Sequence, residues 1–132
     1  LDNFKTVNDR HGHGEGNRLL RCLAETAQTN LRSMDLFARL GGDEFALLLP
    51  ETDAAAARPA LQRLQETIQS ALEREAWPVT LSIGAVSYDP PPEAVKQAVT
   101  RADKVMYEAK RAGKNRLELV EEAAAPQAPP PA

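Results

Sequence analysis

The sequence has 132 residues, of which 42% are hydrophobic and 27% charged, and this balance is typical of one globular domain. Its formal net charge of −3 argues against a protein that binds nucleic acid or a membrane surface through bulk positive charge. The single cysteine, Cys22, rules out an internal disulfide, and its apolar neighbours predict a small buried side chain. No segment approaches the ~20 apolar residues that a membrane-spanning helix requires.

Hydrophobic spacing divides the sequence into helices and strands. Apolar residues at intervals of three and four predict helices, and short apolar or alternating runs beside glycine or proline predict strands. The predicted helices span residues 3–9, 15–31, 53–75 and 93–112, and the predicted strands span residues 35–40, 45–49, 79–88 and 116–120. In chain order, these elements predict an α/β fold, an α+β sandwich in which helices flank one mixed central sheet.

The last two helices carry further signals. Asp53 is expected to cap the third helix at its start, and Gly113 to close the fourth at its end. The face of the fourth helix that is expected to point inward consists of Val95, Val99, Ala102, Met106 and Ala109.

The two ends of the chain differ in character. The chain begins Leu-Asp-Asn-Phe without a methionine, and a helical pattern follows almost at once, which suggests a start inside a domain. Residues 1–121 are predicted to form the folded domain. Residues 122–132 are rich in alanine and proline and are predicted to form a disordered tail.

The stretch RLGGDEFALLLP at residues 39–50 places two glycines and two carboxylates between apolar runs. Gly41 and Gly42 suit a tight hairpin because glycine adopts positive φ without strain. The hairpin does not need Asp43 and Glu44, and adjacent carboxylates are costly unless a cation such as Mg²⁺ lies beside them. Two interpretations therefore stay open from the residues alone, a metal–phosphate site and a solvated acidic turn.

Several segments form a set with a fixed order and spacing. They are NFKTVND at residues 3–9, GH at 12–13, GN at 16–17, GGDEF at 41–45, TLSIG at 80–84 and ADKVMYEAKRAGKN at 102–115. Together they resemble the motifs of the GGDEF-domain diguanylate cyclases, whose DxDxFKxxND segment, GHxxGN continuation and ADxxMYxAKxxGKN helix end they match in register. The resemblance covers residues 1 to about 120.

This resemblance implies a fold, an activity and a cofactor. The fold would be similar to a nucleotidyl cyclase or polymerase palm, with its first strand largely missing from this chain. The activity would be the condensation of two GTP into cyclic di-GMP and two pyrophosphates by a homodimer with Mg²⁺ or Mn²⁺. An upstream regulatory domain and a cytoplasmic location are also expected, and a membrane anchor in the parent protein stays open.

The resemblance also implies roles for individual residues. Asp43 and Glu44 match the catalytic, metal-binding acids, and Leu1 matches a residue whose backbone carbonyl binds the metal. Asn8 and Asn17 match the amides that bind guanine. The residues implied in substrate binding are Asn3, Phe4, Lys5, Asn8, Asn17, Gly41, Gly42, Lys110 and Lys114.

Within that set, the backbone N–H groups of residues 3–5 match a phosphate cradle at a helix start. Lys110 and Lys114 match the basic pair that holds the terminal phosphates. The family's first metal ligand is the leading Asp of DxD, which falls one position before Leu1. The resemblance therefore implies that the parent protein cyclises GTP, whereas this fragment is expected to be inactive.

A second implied site is inhibitory. Arg32 and Asp35 match the family's RxxD motif, at which the product binds and slows the enzyme. Arginine suits this role because its planar fork pairs with phosphate and stacks on guanine. Arg63 falls at the position of a secondary arginine that links two domains through the product.

Two alternative functions stay open. In the first, the domain no longer cyclises GTP and serves as a cyclic di-GMP receptor that binds through Arg32 and Asp35. In the second, it is a purely structural dimerisation domain. Zinc at His11 and His13 is not expected, because no further His or Cys stands at ligand spacing, and nucleic acid is not an expected partner.

Overall fold

The structure is a computed structural model that describes residues 1–122. Most of the predicted Ala/Pro-rich tail lies outside these residues. Within them, the elements are α1 (Phe4–His11), α2 (His13–Thr29), β1 (Leu36–Gly41), β2 (Glu44–Leu48), α3 (Ala54–Arg74), β3 (Ser82–Tyr88), α4 (Val95–Arg111) and β4 (Arg116–Glu122). No helix in the described part of the chain is both long enough and apolar enough to cross a bilayer. The predicted order of helices and strands is confirmed.

The strands of the described chain form two small sheets. β1 and β2 make an antiparallel hairpin, and β3 pairs with β4 in parallel. The predicted α/β class with both pairing directions is confirmed, but the sheet is divided instead of continuous. The first two residues lie between its parts, because the Leu1 nitrogen donates to the Asp43 carbonyl and the Asp2 N–H donates to the Thr80 carbonyl.

An apolar core holds α1, α2 and α3 together. Its buried members are Leu1, Val7, Leu19, Leu20, Leu23, Ala27, Leu64, Ile68, Leu72, Trp77, Val79 and Leu81. The buried residues of α3 recur at intervals of three and four, as in Leu61, Leu64, Ile68 and Leu72, and each fully buried leucine contributes about 1.5–3 kcal/mol. Asp53 caps α3 as predicted, because its Oδ1 accepts from the Ala56 N–H at 2.8 Å.

The prediction for α4 is wrong in its first half. Val95 is 80% exposed and Val99 43% exposed, whereas Val105 and Ala109 are fully buried. The helix is docked on β3 where a Cβ atom on Gly84 would overlap the Met106 nitrogen and lie 2.7 Å from the Ala102 carbonyl oxygen. Only glycine allows this approach, so the C-terminal half of α4 meets the sheet and its start does not.

Candidate functional site

The hairpin tip between β1 and β2 is held in shape and open to a ligand. Arg39 pairs with Phe45 and Gly41 with Glu44, with a bulge at the intervening position. Gly42 has φ of 52°, a left-handed conformation that favours glycine. The Arg39 Nε donates to the Gly42 carbonyl at 2.9 Å, and a Cβ atom on either glycine would meet nothing within 4 Å.

The N-terminal residue lies directly beside this tip. The amino group of Leu1 donates to the Asp43 carbonyl at 3.2 Å and stands 3.8 Å from the Asp43 Oδ2. Leu1 is buried, whereas the Asp43 carboxylate remains partly exposed and Glu44 is exposed. The structure thus brings Leu1, Asp43 and Glu44 together, as the resemblance implied.

Asp2 is buried and forms the centre of a polar network. Its carboxylate accepts hydrogen bonds from the Thr80 Oγ1 at 2.7 Å, the Ser82 Oγ at 2.8 Å and the Asn115 N–H at 3.2 Å. Burial raises the pKa of Asp2, but these three hydrogen bonds and the charge of Lys110 outweigh it, so the net pKa lies below its usual range.

Both lysines implied in phosphate binding lie against the first three residues. The Lys110 Nζ is 3.9 Å from the Asp2 Oδ1, and the Lys114 Nζ donates to the Asn3 Oδ1 at 3.3 Å. Lys110 lies in the last turn of α4, and Lys114 follows in the turn after this helix with φ of 64°. The first three residues therefore meet the end of α4 and the turn that follows it at one site.

Residues 3–5 form the start of α1. Asn3 has φ of 65° and precedes the helix without a side-chain cap, while its carbonyl accepts from the Thr6 N–H at 3.2 Å. The first N–H groups of a helix have no partner within it and point outward along the positive end of the dipole. Phe4 packs on the core, and this anchors the helix start.

The two asparagines implied in guanine binding lie on neighbouring helices. Asn8 is on α1 and touches Gly16 of α2, where a Cβ atom would overlap the Asn8 Oδ1. Asn17 follows on α2 and lines a cleft of about 400 Å³ between this helix and the hairpin. The other lining residues are Leu20, Arg21, Ala24, Gln28, Phe37, Arg39 and Phe45.

The RxxD pair is assembled as a closely bonded unit. The Arg32 guanidinium donates to the Asp35 Oδ1 at 2.8 Å, and the Arg32 N–H donates to Oδ2 at 2.8 Å. Arg32 also donates to the Thr52 Oγ1 and to the Pro50 carbonyl. These bonds to Arg32 hold the pKa of Asp35 below its ordinary value. Arg63 lies on the exposed side of α3 and, among the described residues, forms no hydrogen bond or ion pair with this unit.

The oxygen atoms at the hairpin tip are suitable ligands for a hard cation, but they are few. Asp43 and Glu44 offer carboxylate oxygens and Leu1 offers a carbonyl oxygen, the ligand type that Mg²⁺ and Mn²⁺ prefer. Residues 1–122 contain no cluster of three or more His, Cys, Asp or Glu side chains that could hold a metal ion. Asp2 is adjacent in sequence, but its carboxylate is engaged by Thr80 and other donors. The residues therefore fit one side of a metal site.

Sequence reasoning missed the polar network around Asp2. Thr80 and Ser82 are two residues apart in an extended segment, so both side chains point to the same side. That spacing, inside an otherwise apolar run, was the available signal for a buried polar partner. The close approach of Gly16 to Asn8 was missed because spacing within helices does not reveal contacts between them.

Comparison with known proteins agrees with this fold. The family model described as Diguanylate cyclase, GGDEF domain matches residues 1–116. The chain therefore belongs to the GGDEF family. It is 38% identical over 122 residues to diguanylate cyclase DgcP of Pseudomonas aeruginosa and 37% identical over 122 residues to diguanylate cyclase A of Treponema denticola. These matches cover 90% of this chain but only 18% and 33% of the two relatives.

Solved structures of the family show the same fold. The diguanylate cyclase SiaD of Pseudomonas aeruginosa, in complex with its activator SiaC, superposes with a TM-score of 0.75 at 34% identity, over 89% of this chain and 46% of that chain. The GGDEF domain of DgcB from Caulobacter crescentus, in complex with c-di-GMP, superposes with a TM-score of 0.74 at 28% identity, over 89% of this chain and 72% of that chain. The nucleotidyl-cyclase-like fold is thereby confirmed.

Proposed function

We propose that this domain binds GTP and that two copies with complete metal sites condense two GTP into cyclic di-GMP and two pyrophosphates. The observation that supports this proposal is the convergence at residues 1–3. Polar atoms of that segment lie 3.2 Å from the Asp43 carbonyl, 3.9 Å from the Lys110 Nζ and 3.3 Å from the Lys114 Nζ. Acidic groups and lysines from distant parts of the chain thus flank one helix start.

The bound nucleotide is proposed to lie across α1. Its guanine meets the side-chain amides of Asn8 and Asn17, which offer both a donor and an acceptor to the base edge. Its phosphates lie against the N–H groups of residues 3–5, which point along the positive end of the helix dipole. Lys110 and Lys114 hold the terminal phosphates, and the open glycine tip lets the nucleotide approach the backbone.

The chemistry is phosphoryl transfer. The 3′-oxygen of one GTP forms a bond to the α-phosphorus of the other, the bond from that phosphorus to pyrophosphate breaks, and the hydroxyl proton leaves to solvent. One domain holds one nucleotide, so a second copy must present the other, and positioning supplies much of the rate. Two such transfers close the ring.

Asp43, Glu44 and the Leu1 carbonyl are the proposed metal ligands of this chain. A bound Mg²⁺ or Mn²⁺ would favour ionisation of the attacking hydroxyl and stabilise charge on the phosphate oxygens. We propose that the remaining acidic ligand is an Asp immediately before Leu1, beside the position where the Leu1 nitrogen now stands 3.8 Å from Asp43. The chain without that ligand is expected to bind GTP but not to cyclise it.

Calorimetric titration of the chain with GTP and Mg²⁺ tests the binding step. We expect saturable binding of GTP that weakens about tenfold when Lys114 is replaced by methionine, because a charge-assisted contact to phosphate is lost. Lys104→Met, on the exposed side of α4, is the matched control and should bind as the unmodified chain does. Absence of any GTP binding would contradict the proposal and favour a structural dimerisation domain.

A receptor for cyclic di-GMP is the second candidate, and one observation favours it. The Arg32–Asp35 unit is held in a fixed shape, because the Arg32 guanidinium and the Arg32 N–H each donate to one oxygen of the Asp35 carboxylate. We propose that this unit binds cyclic di-GMP, as an inhibitory site in a cyclase or as the only functional site in a receptor. Turnover is measured on the protein extended with the residues that precede Leu1 (the extended protein), and cyclic di-GMP is titrated into the same sample. Turnover together with binding indicates an inhibited cyclase, whereas binding without turnover indicates a receptor.

A further inference from the structure

The side chain of Asp2 has no exposed surface, although it is a carboxylate. Burying a charge is costly unless hydrogen bonds and a counter-charge compensate it. Here the compensation comes from three separate parts of the chain, namely the start of β3 with the residues just before it, the end of α4 and the turn before β4. Thr80 and Ser82 belong to the first part, Lys110 to the second and Asn115 to the third.

The flanking residues of Asp2 connect this network to the proposed nucleotide site. Leu1 contacts the hairpin tip through the Asp43 carbonyl, and Asn3 precedes α1. The backbone of Asp2 is also fixed, because its N–H donates to the Thr80 carbonyl at 2.8 Å. A residue held by both its backbone and its carboxylate sets where its two neighbours lie.

The contact with Lys110 leaves that lysine available to a ligand. Its Nζ stands 3.9 Å from the Asp2 Oδ1, which is an ion-pair distance but too long for a hydrogen bond. The ammonium group is therefore oriented by the carboxylate while its protons stay free to donate to phosphate. Lys114 is held differently, because its Nζ donates a hydrogen bond to the Asn3 Oδ1 at 3.3 Å.

We propose that Asp2 is a positioning residue that holds Lys110 and the segment at residues 1–3 in register for the terminal phosphates of a bound nucleotide, without touching the nucleotide itself. This inference rests on the proposed function, because it concerns the phosphate end of that site. It assigns a role to the buried carboxylate of Asp2, which is neither a proposed metal ligand nor a proposed substrate ligand.

The variant Asp2→Asn tests this role with little change in shape. The hydroxyls of Thr80 and Ser82 are able to reverse and accept from the new amide, so the fold is expected to persist. We expect the affinity for GTP, measured by calorimetry with Mg²⁺, to fall about tenfold. The affinity for GMP, which lacks the terminal phosphates, should stay unchanged.

Comparing GTP with GMP separates a positioning role of Asp2 from a simple change in charge and from a general structural effect. Loss of the negative charge alone would make the site more positive and would tighten GTP binding, so a tighter or unchanged GTP affinity overturns the proposal. An equal fall for GTP and GMP would indicate a merely structural role and would also overturn it. Asp53→Asn, the same change at the cap of α3, is the matched control and should leave both affinities unchanged.

Ser82→Ala provides a second variant that keeps both charges and removes one hydrogen bond to Asp2. We expect a smaller fall in GTP affinity, again without a change for GMP, and an unchanged GTP affinity would count against the proposal. Urea unfolding of each variant checks that the fold is retained. If the unmodified chain binds GMP and GTP equally or neither of them, the proposed function itself fails, and that result differs from a failure confined to Asp2.

Discussion

Gly16 on α2 leaves room for the side chain of Asn8 on α1. A Cβ atom on Gly16 would overlap the Asn8 Oδ1, lie 2.9 Å from its Cγ and lie 3.2 Å from the Cζ of Phe4. The glycine therefore sets where an amide proposed to read guanine is held. Because the atoms in the way belong to a short side chain, a larger residue should displace Asn8 before it disturbs the helices.

Gly16→Ala is accordingly predicted to weaken guanine recognition. We expect the affinity for GTP to fall about tenfold, because the displaced amide loses its hydrogen bonds to the base, and the preference for GTP over ATP to shrink. Calorimetry with both nucleotides measures this. Gly14→Ala is the matched control, since a Cβ atom there meets nothing within 4 Å. Unchanged preference for GTP in Gly16→Ala would contradict the assignment of Asn8.

Gly84→Ala is predicted to destabilise the fold. The atoms that a Cβ would meet belong to the backbone of α4, at Met106 and Ala102, and backbone cannot move aside as a side chain can. We expect the free energy of unfolding to fall by about 1–3 kcal/mol, the usual cost of overpacking. Urea denaturation measures it. An unfolding free energy equal to that of the unmodified chain would show that α4 tolerates a shift.

The pair of Arg32 and Asp35 predicts a specific dependence on pH. The folded pKa of Asp35 lies below its ordinary value of 3.8, so the carboxylate contributes stability that is fully present above that value. This contribution is lost as the pH falls through the lower, folded pKa. Asp35→Asn should therefore be less stable than the unmodified chain at neutral pH, and the difference should shrink below about pH 4.

Urea unfolding of both proteins at a series of pH values measures this difference. Arg32→Met provides the control, because removal of the guanidinium removes the main cause of the lowered pKa. In an Arg32→Met background, Asp35→Asn should cost less at neutral pH and the acid-dependent change should be smaller. A difference that grows as the pH falls would contradict the sign of the shift.

Arg32→Ala is predicted to weaken binding of cyclic di-GMP. Arg32 is half-exposed and combines a planar fork with a fixed orientation, which suits phosphate and guanine. We expect the affinity to fall at least about tenfold, and product inhibition of the extended protein to be relieved with turnover largely intact. Arg74→Ala, in the last turn of α3, is the control. Unchanged inhibition would show that the inhibitory site is misassigned. The variant Arg63→Ala tests, in the same assay, whether Arg63 is the secondary arginine of this site.

The sequence predicted what depends on local periodicity. The helices and strands were found in their order, and the buried face of α3, from Leu61 to Leu72, followed its spacing. The same method failed at Val95 and Val99, because periodicity identifies an apolar face but not the length over which a partner covers it. The partner of α4 is set by Gly84, which is distant in sequence.

The candidate site was predicted in part. The family resemblance implied that Asp43, Lys110 and Lys114 belong to one site, and all three lie beside residues 1–3. The polar network of Asp2 was not predicted, because its partners come from distant segments, and the spacing of Thr80 and Ser82 indicates a buried polar partner without identifying it. Tertiary contacts of this kind become visible only when the chain is folded.

Formation of cyclic di-GMP is the most direct test of the proposed function. The protein extended with the residues that precede Leu1 is incubated with GTP and Mg²⁺, and nucleotide products are separated and quantified. We expect cyclic di-GMP and pyrophosphate in a ratio of one to two, with no product from Asp43→Ala or without Mg²⁺. An extended protein that binds GTP and magnesium but forms no cyclic di-GMP would contradict the proposal.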